Sequence, residues 1–307
     1  MNSDPVYIGI DVAKKTLAVC GKGMKKEYTN TPMGHAWLIK ALPENAHVVM
    51  EATGGYEKGM RFALHAAAIS LSVVNPRHVR NFARAMGQLA KNDNIDAQMI
   101  VHFAQARKPV ADDAPSQTQI ELEEIMARRA QLVELRSMEV NRREHHRLKL
   151  LQSRADKLII TIDLQIEELE AKARELIANE ATLKSKRERM LQVEGIGEIT
   201  AASLLAFIPE LGTLTRGQAA ALLGVAPFTR ESGAERGKRR ISGGRAQVRA
   251  CFYMAAMTSM RDNRILRELY KRLRDAGKPG KVAIVAVMRK LICLLNHMLK
   301  NPQFSLA

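Results

Sequence analysis

The sequence predicts an α/β unit followed by an all-α remainder, joined by a long helical arm. Three observations carry this. Residues 1–110 alternate short apolar runs with helix-period segments. Residues 117–186 contain neither glycine nor proline. Beyond them helical patterning returns, broken by one Gly- and Arg-rich stretch from Pro227 to Gly244. Domain limits are expected at 1–110, 111–190 and 191–307.

In the first segment Tyr7–Asp11 and Thr16–Cys20 are short apolar strands, and Lys26–Thr29 completes an antiparallel meander. A helix is expected near 34–41, then the strand His47–Met50. Gly54-Gly55 breaks the chain before a helix near 57–67. Ser70–Val74 is a further strand, closed by Asn75-Pro76, and helices follow near 77–86 and 95–106. Three strands, then helix, strand, helix, strand and helices is the order of an RNase-H-like α/β domain.

In the arm, Leu151, Ala155, Leu158, Ile162, Ile166, Leu169, Ala173 and Leu176 recur at steps of three and four, so they share one helical stripe. Leu122, Met126, Ala130, Val133 and Val140 mark a preceding helix. An antiparallel hairpin follows, each limb reaching about 40–50 Å at roughly 1.5 Å per residue. It serves either as a spacer or as a dimerising arm.

The formal net charge is +16, unevenly placed: +6 over 1–110, −1 over 111–190 and +11 over 191–307. Such an excess attracts polyanions and places the last third against a phosphate backbone. No run reaches the roughly 18–20 apolar residues a membrane span needs, since Arg289 and Lys290 interrupt the best candidate, 282–299. With no signal-peptide pattern, a cytoplasmic, non-membrane protein is expected. Cys20, Cys251 and Cys293 lie far apart among apolar residues and read as reduced thiols without zinc spacing.

Asp11 ends the first strand and Glu51 ends the strand expected beside it. Asp93 and Asp96 open a later helix three residues apart, on one helical face. Each has a plainer reading: Asp93 as an N-cap, Asp96 as a first-turn acid, Glu51 as a turn residue beside glycines able to cradle a phosphate. Together, in a basic protein, four carboxylates suit Mg²⁺ or Mn²⁺ and phosphodiester chemistry.

In the last third, Gly195-Ile196-Gly197 fits either a tight turn or the hairpin of a helix-hairpin-helix phosphate site. From Arg230 to Arg249 seven basic residues surround small ones, among them Arg230, Arg236, Lys238, Arg239, Arg240 and Arg245. A hydroxyl held among guanidiniums is suited to attack phosphorus. Ser232 and Ser242 both qualify on chemistry.

Tyr7-Ile-Gly-Ile-Asp-Val-Ala-Lys14, Met50-Glu-Ala-Thr-Gly-Gly-Tyr56 and Asn92-Asp-Asn-Ile-Asp-Ala97 resemble the three acidic motifs of the IS one-ten family of insertion-sequence transposases. Val193-Glu-Gly-Ile-Gly197, Leu223-Gly-Val-Ala-Pro227, Glu231-Ser-Gly233 and Arg240-Ile-Ser242 resemble its C-terminal domain, in the same order. The resemblance covers essentially the whole chain. It implies a RuvC-like domain whose DEDD metal set is Asp11, Glu51, Asp93 and Asp96, and Ser232 as a nucleophile forming a 5′-phosphoserine link to DNA. It also implies a central coiled coil, dimers pairing into a tetramer, and active sites joining the acidic domain of one subunit to the serine of another. A noncoding bridge RNA would pair with donor and target DNA, in a bacterial or archaeal, nucleoid-associated protein. Where many relatives follow Arg-Ile-Ser with Lys and a second basic residue, this chain has Gly243-Gly244-Arg245.

The leading expectation is a DNA transposase or site-specific recombinase. A metal-dependent junction-resolving nuclease would share the four acids but use water in place of Ser232. A non-enzymatic architectural protein would explain charge and arm but leave the acids without purpose.

Overall fold

The computed structural model describes residues 4–88, 93–228, 231–232, 235–236 and 240–304. The chain forms two compact units, Met1–Ala114 and Pro115–Ala307.

In the first unit a five-stranded sheet has the order β3-β2-β1-β4-β5, from β1 (Val6–Val12), β2 (Thr16–Gly21), β3 (Met24–Thr29), β4 (Ala46–Glu51) and β5 (Ser70–Val74). The first three strands form an antiparallel meander, whereas β4 and β5 run parallel to β1. A two-residue turn, Lys22-Gly23, joins β2 to β3 with both residues at positive φ, as the twist of a tight hairpin demands.

Four helices flank the sheet. For α1 (Pro32–Ala41), the Thr31 side chain caps the Gly34 amide and Pro32 occupies the first turn. Asn75 and Pro76 start α3 (Pro76–Ala85) in the same way. Strand alternation then separates two cores. Ile8, Ile10, Val48, Met50 and Leu71 pack with Leu38 of α1 and with Met60 and Leu64 of α2 (Lys58–Ala66). Val49 on the other face packs with Val79 of α3 and with Ile100, Phe103 and Ala104 of α4 (Asp93–Arg107). The central strands β1 and β4 are therefore covered on both faces and are largely apolar, whereas the edge strand β3 exposes Lys25, Lys26 and Glu27.

The second unit begins with α5 (Gln117–His145) and α6 (Lys149–Asn179), an antiparallel pair. Arg129–Glu170, Arg136–Asp163 and Arg143–Asp156 bridge them at 2.7, 2.5 and 2.7 Å. Each step advances seven residues on α5 and retreats seven on α6, so one register holds along the hairpin. Its base, at Leu122, Met126, Ala173 and Ile177, belongs to the core of the helices that follow.

Those are α7 (Ala181–Leu191), α8 (Glu198–Phe207), α9 (Arg216–Leu223), α10 (Ala246–Asp262), α11 (Arg264–Asp275) and α12 (Gly280–Lys300). Among the described residues α12 alone is long and apolar enough to cross a membrane. Val287, Leu291, Ile292 and Leu295 are fully buried in the helical core, and that burial accounts for the apolarity. Arg189 of α7 donates to the carbonyls of Met298, Asn301, Pro302 and Phe304, supplying partners where the C-terminus of α12 runs out of its own.

The Gly- and Arg-rich stretch is not a bare loop. Between α9 and α10, β6 (Pro227–Phe228) pairs with β9 (Arg240–Ile241), and inside them β7 (Glu231–Ser232) pairs with β8 (Glu235–Arg236). Two nested antiparallel pairs result.

Candidate functional site

The parallel register of β1 and β4 ends at Ile10↔Met50, so the next residues along, Asp11 and Glu51, stand side by side. Neighbouring strands lie about 4.8 Å apart, and residues matched across them point to the same face. That face is the one occupied by Gly9 and Val49, under α4. Both carboxylates are half-buried, and each has an interaction partner.

Helix α4 reaches the pair through Gly9. A Cβ on Gly9 would collide with the carbonyl oxygen of Ala97 and lie 2.9 Å from Cγ2 of Val101. The absent side chain lets the N-terminal part of α4 rest directly on β1, two residues before Asp11. Asp96 immediately precedes Ala97 in the same helix and is half-buried. Asp93 is the first residue of α4, but its side chain lies outside the described residues. Among the described residues no three His, Cys, Asp or Glu side chains gather closely enough to hold a metal. Asp11 and Glu51 are nonetheless hard oxygen donors placed together, the chemistry a Mg²⁺ or Mn²⁺ ion takes.

The loop after Glu51 does not cradle a phosphate. Glu57 accepts hydrogen bonds from the Thr53 amide at 3.0 Å, the Thr53 hydroxyl at 3.2 Å and the Gly55 amide at 2.9 Å. The loop amides that would receive an anion are thus occupied by a carboxylate of the same loop. Gly54 and Gly55 have open space where a Cβ would be, and serve the positive φ of the turn.

In the second unit, Ser232 sits at the end of β7, opposite Glu235. The side chains of Ser232 and Arg236, and all of Arg230, Lys238 and Arg239, lie outside the described residues. Arg240 is exposed. Arg245 is engaged internally: it holds Glu210 through two hydrogen bonds of 2.8 and 2.7 Å and donates to the Phe207 carbonyl. Burial alone would raise the Glu210 carboxyl, but the hydrogen bonds and charge of Arg245 outweigh it and hold the group below its usual range. Gly195 is pressed against α10, where a Cβ would collide with Ser259, whose hydroxyl donates to the Glu194 carbonyl at 2.8 Å. Gly197 faces open space and caps α8.

A family model described as a transposase, of the DEDD-type IS110 group, matches residues 8–153. A second, described as the transposase IS116/IS110/IS902 family, matches residues 187–271. The chain belongs to the IS110 transposase family. The curated relatives include the pilin gene-inverting proteins of Moraxella lacunata and Moraxella bovis, each 25% identical over 94% of this chain and 94% of its own length. The protein is therefore a DNA transposase or recombinase enzyme.

The first family match contains Asp11, Glu51, Asp93 and Asp96, and the second contains Gly195, Gly197, Ser232 and Arg245. Several residues that shape this IS110 transposase are invisible to motif reading. Gly9 lies inside the first motif, yet the need for a glycine there arises from Ala97, far along the chain. Gly243-Gly244 has a packing cause as well. Both are at positive φ, and a Cβ on Gly244 would collide with the backbone of Gly224, the left-handed residue that closes α9. Arg249 donates to the Gly243 carbonyl at 2.6 Å and ties the same corner together. Gly243-Gly244 is thus part of a backbone-to-backbone contact with the end of α9.

Proposed function

We propose that this protein cuts and rejoins DNA strands through Ser232, with Mg²⁺ or Mn²⁺ held by Asp11, Glu51, Asp93 and Asp96. The observation that carries the reading is the Asp11–Glu51 pair at adjacent strand ends beneath the N-terminal part of α4, whose first turn contains Asp93 and Asp96. The sheet order, with a three-strand meander and two parallel strands, supports an RNase-H-like, RuvC-like fold for the first unit. The Gly195–Gly197 turn into α8 is taken as a helix-hairpin-helix-like phosphate contact, with Arg230, Arg236, Lys238, Arg239 and Arg240 as further nucleic-acid contacts. Arg245, the remaining expected contact, is engaged by Glu210 and the Phe207 carbonyl and supports the stretch from within.

The Ser232 hydroxyl oxygen attacks phosphorus, the P–O3′ bond breaks, and the 3′ oxygen leaves as a hydroxyl. The serine proton is lost to solvent as the Oγ–P bond forms and the 3′ oxygen takes one up from solvent, so protons balance and a 5′-phosphoserine results. Attack by another 3′ hydroxyl reverses the step and frees the serine. The number of phosphoester bonds is unchanged, so no nucleotide hydrolysis is needed. When bound, the divalent ion supplies positive charge against the phosphate oxygens. The names of the relatives, which invert a pilin gene, support strand exchange rather than simple hydrolysis. The same reading includes dimers pairing into a tetramer, acidic and serine sites contributed by different subunits, and a bridge RNA as guide.

Ser232→Ala is expected to abolish covalent protein–DNA adducts in denaturing gels while DNA binding persists. Adducts surviving that change overturn the serine assignment. Free, protein-unlinked ends as the main product would favour a junction-resolving nuclease using water.

A further inference from the structure

Between the start of α9 and the C-terminal half of α12 lies a groove of about 530 Å³, with Thr215, Arg216, Lys290, Cys293, His297 and Lys300 in its lining. Among the described residues no carboxylate lines it. Arg216, Lys290 and Lys300 are exposed, and among the described residues none of them pairs with an acid. Some arginines of this unit are engaged internally: Arg187 with Glu198, Arg245 with Glu210, and Arg189 with four carbonyls. What sets Arg216, Lys290 and Lys300 apart is that all three line one concavity.

Hydrogen bonds within the protein tie the wall of the groove together. Asn296, 3% exposed, accepts from the Gly212 amide at 2.9 Å and donates to the Leu214 carbonyl at 2.8 Å, which fixes the segment entering α9 on α12. Thr215 and Gln218 close a reciprocal capping box at the same entry. The Cys293 thiol contacts the Arg216 carbonyl at 3.6 Å. The volume falls in the range of about 300–1,000 Å³ usual for ligand sites, and is ample for a nucleotide step of a polymer.

We propose that this groove binds the phosphodiester backbone of a nucleic acid, as an anchoring site separate from the Gly- and Arg-rich stretch. The chemistry is shared by DNA and RNA: a concave, positively charged surface that meets phosphate, the group common to both polymers. The inference rests on the reading of the chain as a nucleic-acid-processing enzyme, but not on Ser232 or the acidic set.

The test is the affinity of the full chain for a duplex DNA and for a single-stranded RNA across a salt series. Three proteins are compared: wild type, an Arg216→Gln, Lys290→Gln, Lys300→Gln variant, and a charge-matched Lys149→Gln, Lys157→Gln, Lys184→Gln control built at exposed positions of α6 and α7. The groove variant is expected to lower the slope of log affinity against log salt by about two to three, near one per lost phosphate contact. At about 0.1 M salt its affinity should fall at least about tenfold for whichever polymer occupies the groove. The control should change the slope by less than about one. Bound polymer should also slow alkylation of Cys293 relative to Cys20. Equal losses in variant and control, or unprotected Cys293, overturn the site while leaving the enzymatic reading intact. Failure of the wild type to bind either polymer overturns both.

Discussion

Gly9 of β1 lies so close beneath Ala97 of α4 that a single added methyl would meet the Ala97 carbonyl oxygen. The contact sets where α4 begins over the sheet, and with it the approach of Asp96 toward Asp11 and Glu51. Gly9→Ala is expected to destabilise the fold by about 1–3 kcal/mol, the usual cost of overpacking a tight contact. Strand cleavage should fall further than stability explains. Thermal unfolding beside a cleavage assay at a temperature where the variant is folded checks this. Wild-type cleavage in a folded Gly9→Ala protein would contradict it.

If the carboxylates hold a divalent ion, metal and fold are linked. Mg²⁺ at about a hundred times its Kd would add about 2.7 kcal/mol to the stability of the wild type. Asp11→Asn and Glu51→Gln should each abolish most of that increment and cleavage together. Melting temperatures with Mg²⁺ and with chelator give the answer. An equal Mg²⁺ response in wild type and both variants would refute the ligand assignment.

Arg245 and Glu210 form a two-bond ion pair, both partners more than a third exposed, so solvent screens the charge. Arg245→Gln should cost about 1 kcal/mol, mostly through hydrogen bonds lost at Glu210 and Phe207. The folded protein holds the Glu210 carboxyl below its ordinary 4.5. Its contribution is therefore present above that value and fades as pH falls through the lower folded one. The variant should lose stability near neutrality and show a flatter decline in acid. Its nucleic-acid salt slope should match wild type, and a fall of one full contact would restore Arg245 as a phosphate ligand.

His47 bridges the sheet between Ser70 and Ser72, with Nδ1 2.7 Å from Ser70 Oγ and Nε2 2.8 Å from Ser72 Oγ. Ser72 gives its own hydrogen to the Val110 carbonyl at 2.7 Å, which assigns the His47 hydrogen to Nε2 and leaves Nδ1 to accept from Ser70. Burial lowers the His47 pKa from its ordinary 6.5, and the negative charge of Asp112 only partly opposes this. Burial likewise lowers His35, and burial with Arg61 lowers His65. Unfolded histidines then bind protons that the folded ones refuse. Stability should be fully present above about pH 6.5 and fall on acidification toward pH 5. His47→Gln should flatten that fall. Melting temperatures from pH 5 to 8 test it, and a rise in stability on acidification would contradict it.

Strand and helix order in residues 1–107 is legible because each element carries its own punctuation. Apolar runs such as Tyr7–Asp11 and Ser70–Val74 have period-two or continuous burial, and Thr31-Pro32 and Asn75-Pro76 write helix starts directly. The helices of the arm are legible from apolar residues repeating every three or four, but Leu151 and Leu158 of that stripe are exposed, while Ala155, Ile162, Ile166 and Ala173 are buried. The nested pairs from Pro227 to Ile241 were not legible, because two-residue strands among Gly and Arg have no periodicity to read.

The sequence by itself determined where the candidate groups stand along their elements: Asp11 and Glu51 at strand ends, Asp93 and Asp96 at a helix start, and Ser232 within a basic stretch. Local pattern suffices for that, since each depends on neighbours within a few residues. Only the tertiary structure decided which of them are neighbours and which cations are engaged. The β1–β4 register set Asp11 beside Glu51, and Gly9 admitted α4 onto them. Glu210 claimed Arg245, and Gly224 required Gly244. These are contacts between residues tens of positions apart, where spacing along the chain carries no information about distance in space.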